Sequence, residues 1–284
     1  MAPFDPAKAY AVQEDVFFDD GREIELLHYI YARPDLDAIR GSPERVLAAI
    51  DEYGRTRKYL MNVGELKGKI VTDLIRQTRP NTMVELGGYV GYSCILFGHA
   101  VRQAGGQQYL TLERNPEFAA VIGSLVDLAG LSSIVKVVVG PSDASLRRLC
   151  SAGALPQGID VLFLDHYKPA YLPDLKLCEQ LGLVRRGSVL AADNVVAPGN
   201  PPYLAYVRGS VEDKLAGKVG AAKNGFGDRT AKQYEKREGE EVLDEAVVGD
   251  PRLEYVSDLW SSFEPTGVPD GVEITRCVGR REDL

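Results

Sequence analysis

TMVELGGYVGYSCILFGHAVRQ (82–103) is the stretch from which the rest of the chain can be read. It opens with a five-residue apolar run of strand length that carries one acid, Glu85. Glycines at 87, 88 and 91 interrupt it, and a helical stretch, YSCILFGHAVRQ, follows. Strand, glycine loop and helix make one unit of a parallel α/β sheet. Gly87 and Gly91 let the backbone approach a ligand closely, and Gly88 eases the turn.

Outward from this unit the same pattern repeats. QYLTLE (108–113) is the next strand, and Asn115-Pro116 starts a helix that ends at Gly130. IVKVVVG (134–140) follows, with Ser142 capping a helix through Leu149. IDVLFLD (159–165) and SVLAAD (188–193) are two further strands, separated by a helix around Pro173 to Leu181. Apolar strands without strict alternation belong to a parallel sheet covered on both faces. Upstream, Ser42-Pro43 opens a helix that Gly54 closes, and a second helix covers Leu66 to Arg76. Residues 1–41 are a polar lead-in with one amphipathic stretch, Glu23 to Tyr31. Downstream, 212–250 is rich in Lys, Glu and Gly and reads as a surface insertion. RLEYVSDL (252–259) and VEITRCVG (272–279) form a closing strand pair. The expected organisation is a single domain over 1–284, with an N-terminal helical extension (1–60) and the insertion at 212–250.

The bulk properties narrow the function. At 284 residues and 45% hydrophobic content, the chain can build one large α/β domain. A formal net charge of −8 disfavours a phosphate-backbone partner, so nucleic acid is not expected. The opening residues lack the basic-then-apolar profile of a secretory leader, and no run approaches the roughly 18 apolar residues of a membrane span. Cys94, Cys150, Cys178 and Cys277 are scattered with no CxxC pair, which suits a reducing cytoplasm and core packing.

The acids at the strand ends carry the chemistry. Glu85, Glu113, Asp165 and Asp193 fall at four strand ends, which in an open parallel sheet share the ligand-binding edge. Single acids often cap the next helix, but four on one edge repel one another unless cations sit among them. Glu113 is placed to accept the hydroxyls of a ribose. With the glycine loop it indicates a nucleoside ligand, without separating S-adenosylmethionine from a nicotinamide cofactor. The missing GxGxxG and the loop acid Glu85 favour the former, because an acid repels pyrophosphate and suits an ammonium and a sulfonium. Asp165, Asp193 and Asn194 offer an all-oxygen set suited to Mg²⁺. Lys168 stands three residues beyond Asp165 in the same segment, DHYK (165–168). The plain reading of each residue alone is a helix cap, a turn or a solvated lysine.

MNVGELKG (61–68), VELGGYVGYS (84–93), LERNPEFAA (112–120), FLDHYKPAYLPD (163–174) and LAADNVVAPG (190–199) together resemble the catechol O-methyltransferase family. The similarity covers roughly residues 44–210, with a weaker match at SSFEPTGVPDGVE (261–273). It implies a Rossmann-like methyltransferase fold: a seven-stranded, mostly parallel sheet with the last strand antiparallel and helices on both faces. It also implies transfer of a methyl group from S-adenosylmethionine to one hydroxyl of a small-molecule catechol, with Mg²⁺. By the resemblance, Val63, Glu85, Tyr89, Ser93, Glu113 and Ser142 contact S-adenosylmethionine, with Gly87, Asp143, Asp165 and His166 lining the same site. Asp165, Asp193 and Asn194 hold Mg²⁺, Lys168 is the base, and Glu264 accepts a hydrogen bond from the hydroxyl that is not methylated. Tyr59, Met61, Tyr167 and Pro198 wall the substrate. Tyrosines stand at 59 and 167 where the family commonly has tryptophan, and Asp143 replaces an amide that reads adenine. Two other functions stay open: methylation of a larger vicinal diol of caffeoyl or flavonoid type, and non-catalytic binding of S-adenosylmethionine. A nicotinamide-dependent oxidoreductase lacks its phosphate loop here.

Overall fold

A computed structural model describes residues 3–12, 20–219, 226 and 246–282. Strands β1 (Thr82–Leu86), β2 (Gln108–Glu113), β3 (Val135–Val139), β4 (Val161–Leu164), β5 (Val189–Ala192), β6 (Leu253–Phe263) and β7 (Pro269–Arg280) form one sheet in the order β3-β2-β1-β4-β5-β7-β6. The first five are parallel, and β7 runs antiparallel to both β5 and β6. This is the expected mixed sheet of a Rossmann-like methyltransferase fold.

Successive strand residues point to opposite faces, and both faces are apolar. Met83, Val161, Phe163, Val189 and Ala191 join one core, covered by α1 (Arg22–Tyr31), α3 (Pro43–Thr56), α4 (Gly64–Thr78), α5 (Tyr92–Gln103) and α6 (Pro116–Leu128). Val84, Leu86, Leu162, Leu164, Leu190 and Ala192 join the other, under α7 (Ser142–Ser151), α8 (Tyr171–Gln180) and α9 (Pro201–Arg208). The short α2 (Leu36–Ile39) and α10 (Val211–Leu215) complete the α-helices among the described residues. None of these helices is long and apolar enough to cross a membrane.

Several boundaries differ from the sequence reading. Gly54 lies inside α3 and does not end it; a Cβ there would stand 2.5 Å from the Tyr10 ring, so the glycine makes room for that ring. Ser142 is the first residue of α7, and Pro141 occupies the cap. Glu85 sits within β1, one residue before its end, and not in the loop. Helices α1 and α3 pack into the first core, so the N-terminal segment is tied to the sheet. Of the insertion 212–250, only 212–219, 226 and 246–250 are described; the rest of that expectation lies outside the described residues.

The order reverses between β1 and β4, which makes their carboxyl ends the topological switch point where such sheets bind ligands. The turn there is tight. Gly87 has φ +88°, and a Cβ on it would lie 2.7 Å from the Asp165 carbonyl and 2.9 Å from His166 Cα. Because β7 is antiparallel, its first residues stand beside the end of β5. The hairpin 264–268 is closed by Glu264 N–H donating to the Val268 carbonyl at 2.8 Å, and it delivers Glu264 and Asp270 to the same edge.

Candidate functional site

Lys67, on α4, is fully buried at that edge. Its Nζ donates to Asp193 Oδ2 at 2.8 Å, Glu264 Oε1 at 2.6 Å and Asp270 Oδ2 at 2.9 Å. Neither Lys67 nor Asp270 was singled out from the sequence. The signal was present in MNVGELKG and PDGVE, but a lysine in a helix reads as solvated until a fold buries it. One ammonium faces three carboxylates. Burial pushes Asp193 up to about 7 and Glu264 up to about 8, against the pull of Lys67. At Asp270 burial is overcome, and the carboxyl falls below its ordinary value. Asp270 has the lysine plus N–H donors from Val196, Ala197 and the Asn194 amide.

Among the described residues, Asp193, Glu264 and Asp270 form a group of acids in which one oxygen from each lies within 4.8 Å of the others. This set differs from the expected trio of Asp165, Asp193 and Asn194. Asn194, at φ +56°, gives its amide N–H to Glu264 Oε1 at 2.5 Å and to Asp270 at 3.2 Å. That leaves its carbonyl oxygen for another partner. Asp193 Oδ1 is buried with no hydrogen-bond partner, and such an orphaned oxygen is costly unless something positive meets it. With Asp165 one strand away, these oxygens make a hard donor set that fits Mg²⁺.

Lys168 sits in the 3₁₀ turn Lys168–Ala170. Its Nζ donates to Asp165 Oδ1 at 3.1 Å and to Tyr171 Oη at 2.7 Å, while the Tyr171 hydroxyl donates to the Asp193 carbonyl at 3.2 Å. The Asn200 amide holds the Lys168 carbonyl at 2.8 Å. Base candidate and metal candidates are thus linked by direct bonds.

On the cofactor side, Glu113 is buried, and its carboxylate accepts backbone N–H groups from Gly88 (3.1 Å), Tyr89 (3.0 Å) and Asn115 (2.8 Å). A carboxylate has roughly four acceptor positions, so Glu113 shapes the glycine loop as well as facing the edge. Tyr89, at φ +49°, donates its hydroxyl to Glu23 at 2.7 Å and meets Phe118 edge-on at 5.3 Å. Glu85 is fully buried, accepts from the Cys94 thiol at 2.9 Å, and is pushed up to about 7 by burial. It is a weaker attractor of cations than a loop carboxylate would be. Val63 precedes α4 and Ser93 lies in the first turn of α5, both buried. Ser142 and His166 both bond Asp174, at 2.5 and 2.8 Å, and Asp143 stands beside Ser142 in the first turn of α7. Of the expected substrate walls, Tyr59 is buried, Met61 is exposed, Tyr167 is half-buried, and Pro198 lies in the turn Val195–Gly199.

Comparison with known proteins bears on this arrangement. The model of a family described as O-methyltransferase matches residues 45–201. The catechol O-methyltransferase of Mus musculus is 44% identical over 170 residues, which is 60% of this chain and 63% of the mouse protein. That of Sus scrofa is 44% identical over 149 residues, 52% of this chain and 78% of the pig protein. The chain therefore spans a little under two thirds of the mouse relative's length. A crystal structure of the O-methyltransferase from Bacillus cereus, in complex with SAH, superposes with a TM-score of 0.53 at 18% identity. It covers 90% of this chain and 97% of its own, which bears on the fold alone.

Proposed function

The chain belongs to the O-methyltransferase family, and on that premise we propose that it transfers the methyl group of S-adenosylmethionine to one hydroxyl of a catechol. The supporting observation is the chain of bonds from Lys168 through Tyr171 to Asp193, next to an orphaned Asp193 oxygen. A base and an oxygen-rich cation site in contact are of no use to a protein that merely binds the cofactor. The names of the mouse and pig relatives point to catechol as the acceptor class.

A phenol has an ordinary pKa near ~10 and is a poor nucleophile until its proton leaves. Lys168 Nζ would take that proton once neutral, while Asp165 and Tyr171 hold the amine in place. When bound, S-adenosylmethionine would supply an electrophilic methyl group for the freed oxygen, with the electron pair of the broken carbon–sulfur bond left on sulfur. Asp165, Asp193 and Asn194 would hold Mg²⁺, whose charge favours the ionised catechol. Glu264, raised by burial and pinned by Lys67, would accept from the second hydroxyl through its remaining oxygen. Glu113 and the loop 87–91 would receive the nucleoside.

The test is a methyl-transfer assay with labelled S-adenosylmethionine and a panel of catechols and caffeoyl compounds, with Mg²⁺ and with chelator. Metal-dependent labelling of a catechol oxygen is the expected result. Labelling that survives chelation, or none with any vicinal diol, would falsify this reading.

A further inference from the structure

Residues 4–11 form a strap over the hairpin that carries Glu264. Asp5 accepts the Ala7 N–H at 3.0 Å and Pro6 stands at the first helical position, so PAK (6–8) folds as a 3₁₀ turn. Ahead of the turn, Phe4 lies against the Phe263 ring, with centroids 5.8 Å apart. It also covers Gly267, where φ is +87° and a Cβ would stand 2.6 Å from the Phe4 ring. Beyond the turn, the Tyr10 N–H donates to the Pro265 carbonyl at 2.9 Å, and the Ala11 N–H donates to that of Gly54 at 2.9 Å. The Tyr10 side chain is buried in the notch that Gly54 leaves in α3. Its hydroxyl donates to Asp51 Oδ1 at 2.5 Å and accepts from the Asn62 amide at 3.3 Å.

Tyr10 thus bonds to two segments that bear on the acceptor substrate. Its backbone holds Pro265, the neighbour of Glu264, and its hydroxyl receives Asn62, the neighbour of Met61. Within the hairpin, the Glu264 N–H donates to the Val268 carbonyl and the Gly267 N–H to the Glu264 carbonyl. Those two bonds fix the hairpin's shape but not its place. Its place is set by the Lys67 bond to Glu264, by Pro265 against Gly64, and by the strap. A substituted catechol can offer either hydroxyl to Lys168, and the two poses differ in where the ring substituent points relative to the hairpin. Discriminating between them requires a wall that does not yield, since small misplacements already cost much of the gain from orientation. We propose that Tyr10 is a specificity-determining positioning residue: seated against Gly54, it ties the Glu264 hairpin to the 59–63 loop and so sets which of the two hydroxyls is methylated. The inference rests on the proposed catechol reading.

The experiment measures the ratio of the two monomethyl products from protocatechuic acid, the KM for that catechol and the affinity for S-adenosylhomocysteine, in the full chain and in Tyr10→Ala, Tyr10→Phe and Gly54→Ala. Tyr10→Ala removes the ring that seats the strap. Gly54→Ala fills the seat and leaves every strap residue in place, while alanine otherwise favours the helix. Both should move the product ratio at least about threefold toward equal amounts and raise KM about fivefold, the worth of roughly one hydrogen bond, with the affinity for S-adenosylhomocysteine held within about twofold. Tyr10→Phe keeps the seat and the bond to Pro265, so its ratio should lie nearer the unsubstituted protein than that of Tyr10→Ala. A purely structural role would lower stability and turnover and leave the ratio unchanged, which overturns the proposal. Equal amounts of both products from the unsubstituted protein overturn it as well. Should Tyr10→Ala not fold, Gly54→Ala decides. If the unsubstituted protein methylates no catechol, the proposed function fails, and amide hydrogen exchange at Glu264 and Gly267 in Gly54→Ala decides whether Tyr10 holds the hairpin. Faster exchange there supports that hold, and unchanged exchange overturns it.

Discussion

Replacing Lys67 by methionine would keep most of its volume and remove the one cation that Asp193, Glu264 and Asp270 all touch. Breaking a buried ion pair by deleting one partner typically costs about 3–5 kcal/mol, because the remaining charges stay buried and uncompensated. Urea unfolding of Lys67→Met should show a loss of that order; a change below about 1 kcal/mol would mean that the acids are neutral without the lysine. Lys168→Ala is a different case. It should fold, bind S-adenosylhomocysteine as before, and lose roughly 10²–10⁴ in turnover, the usual worth of a positioned base. Near-normal turnover would remove Lys168 from that role. Glu85 gives a pH signature. Its carboxyl ionises near 4.5 in the unfolded chain and at about 7 when folded, mainly because burial disfavours the charge. Folded protein thus binds the extra proton between those values, so the associated stability is complete below about 4.5 and is lost as pH rises through about 7. The span corresponds to about 3 kcal/mol. Glu85→Gln should flatten the fall in melting temperature between pH 5 and 8; an unchanged slope would mean that Glu85 is ionised throughout.

At the scale of elements, the βα turn after β1 is the tightest constraint. Gly87 combines φ +88° with backbone neighbours under 3 Å from any added Cβ, and those neighbours belong to Asp165 and His166. Gly87→Ala therefore has to push the β4 loop away or distort its own, at a cost of about 1–3 kcal/mol in backbone strain alone. The expected result is a lower denaturant midpoint with weakened binding of S-adenosylhomocysteine and of Mg²⁺ together, since one loop carries residues for both. Loss of one binding activity without the other would show that the two loops move independently. The strands that deliver these loops are held from both faces. Phe163 on β4 is fully buried and edge-on to Phe97 of α5 at 5.0 Å. This packing explains why IDVLFLD could be read as a buried strand without any alternation of polar residues.

Across the whole molecule, the candidate centre assembles from α4, the ends of β4 and β5, and the β6–β7 hairpin, with more than 190 residues between Lys67 and Glu264. A divalent ion on Asp193 Oδ1 would add a favourable partner present in the folded state only, so Mg²⁺ should raise the melting temperature in a concentration-dependent way. Asp193→Ala should abolish that rise, and persistence of the rise would place the ion elsewhere. The repeating strand–turn–helix pattern, the acids at the edge and the glycines of the turn were legible from the sequence, because they are local. Hydrophobic run length, turn chemistry and capping act over a few residues and leave their mark there. The lysine beneath the acids, the role of Asp270 and the grip of Asp174 on Ser142 and His166 were not legible. Each depends on which side chains the antiparallel β7 and the crossover helices bring together. The sign and size of the pKa shifts belong with these: a carboxylate carries the same letter in water and in a core, and only the tertiary structure decides how much water it has lost and which charges face it.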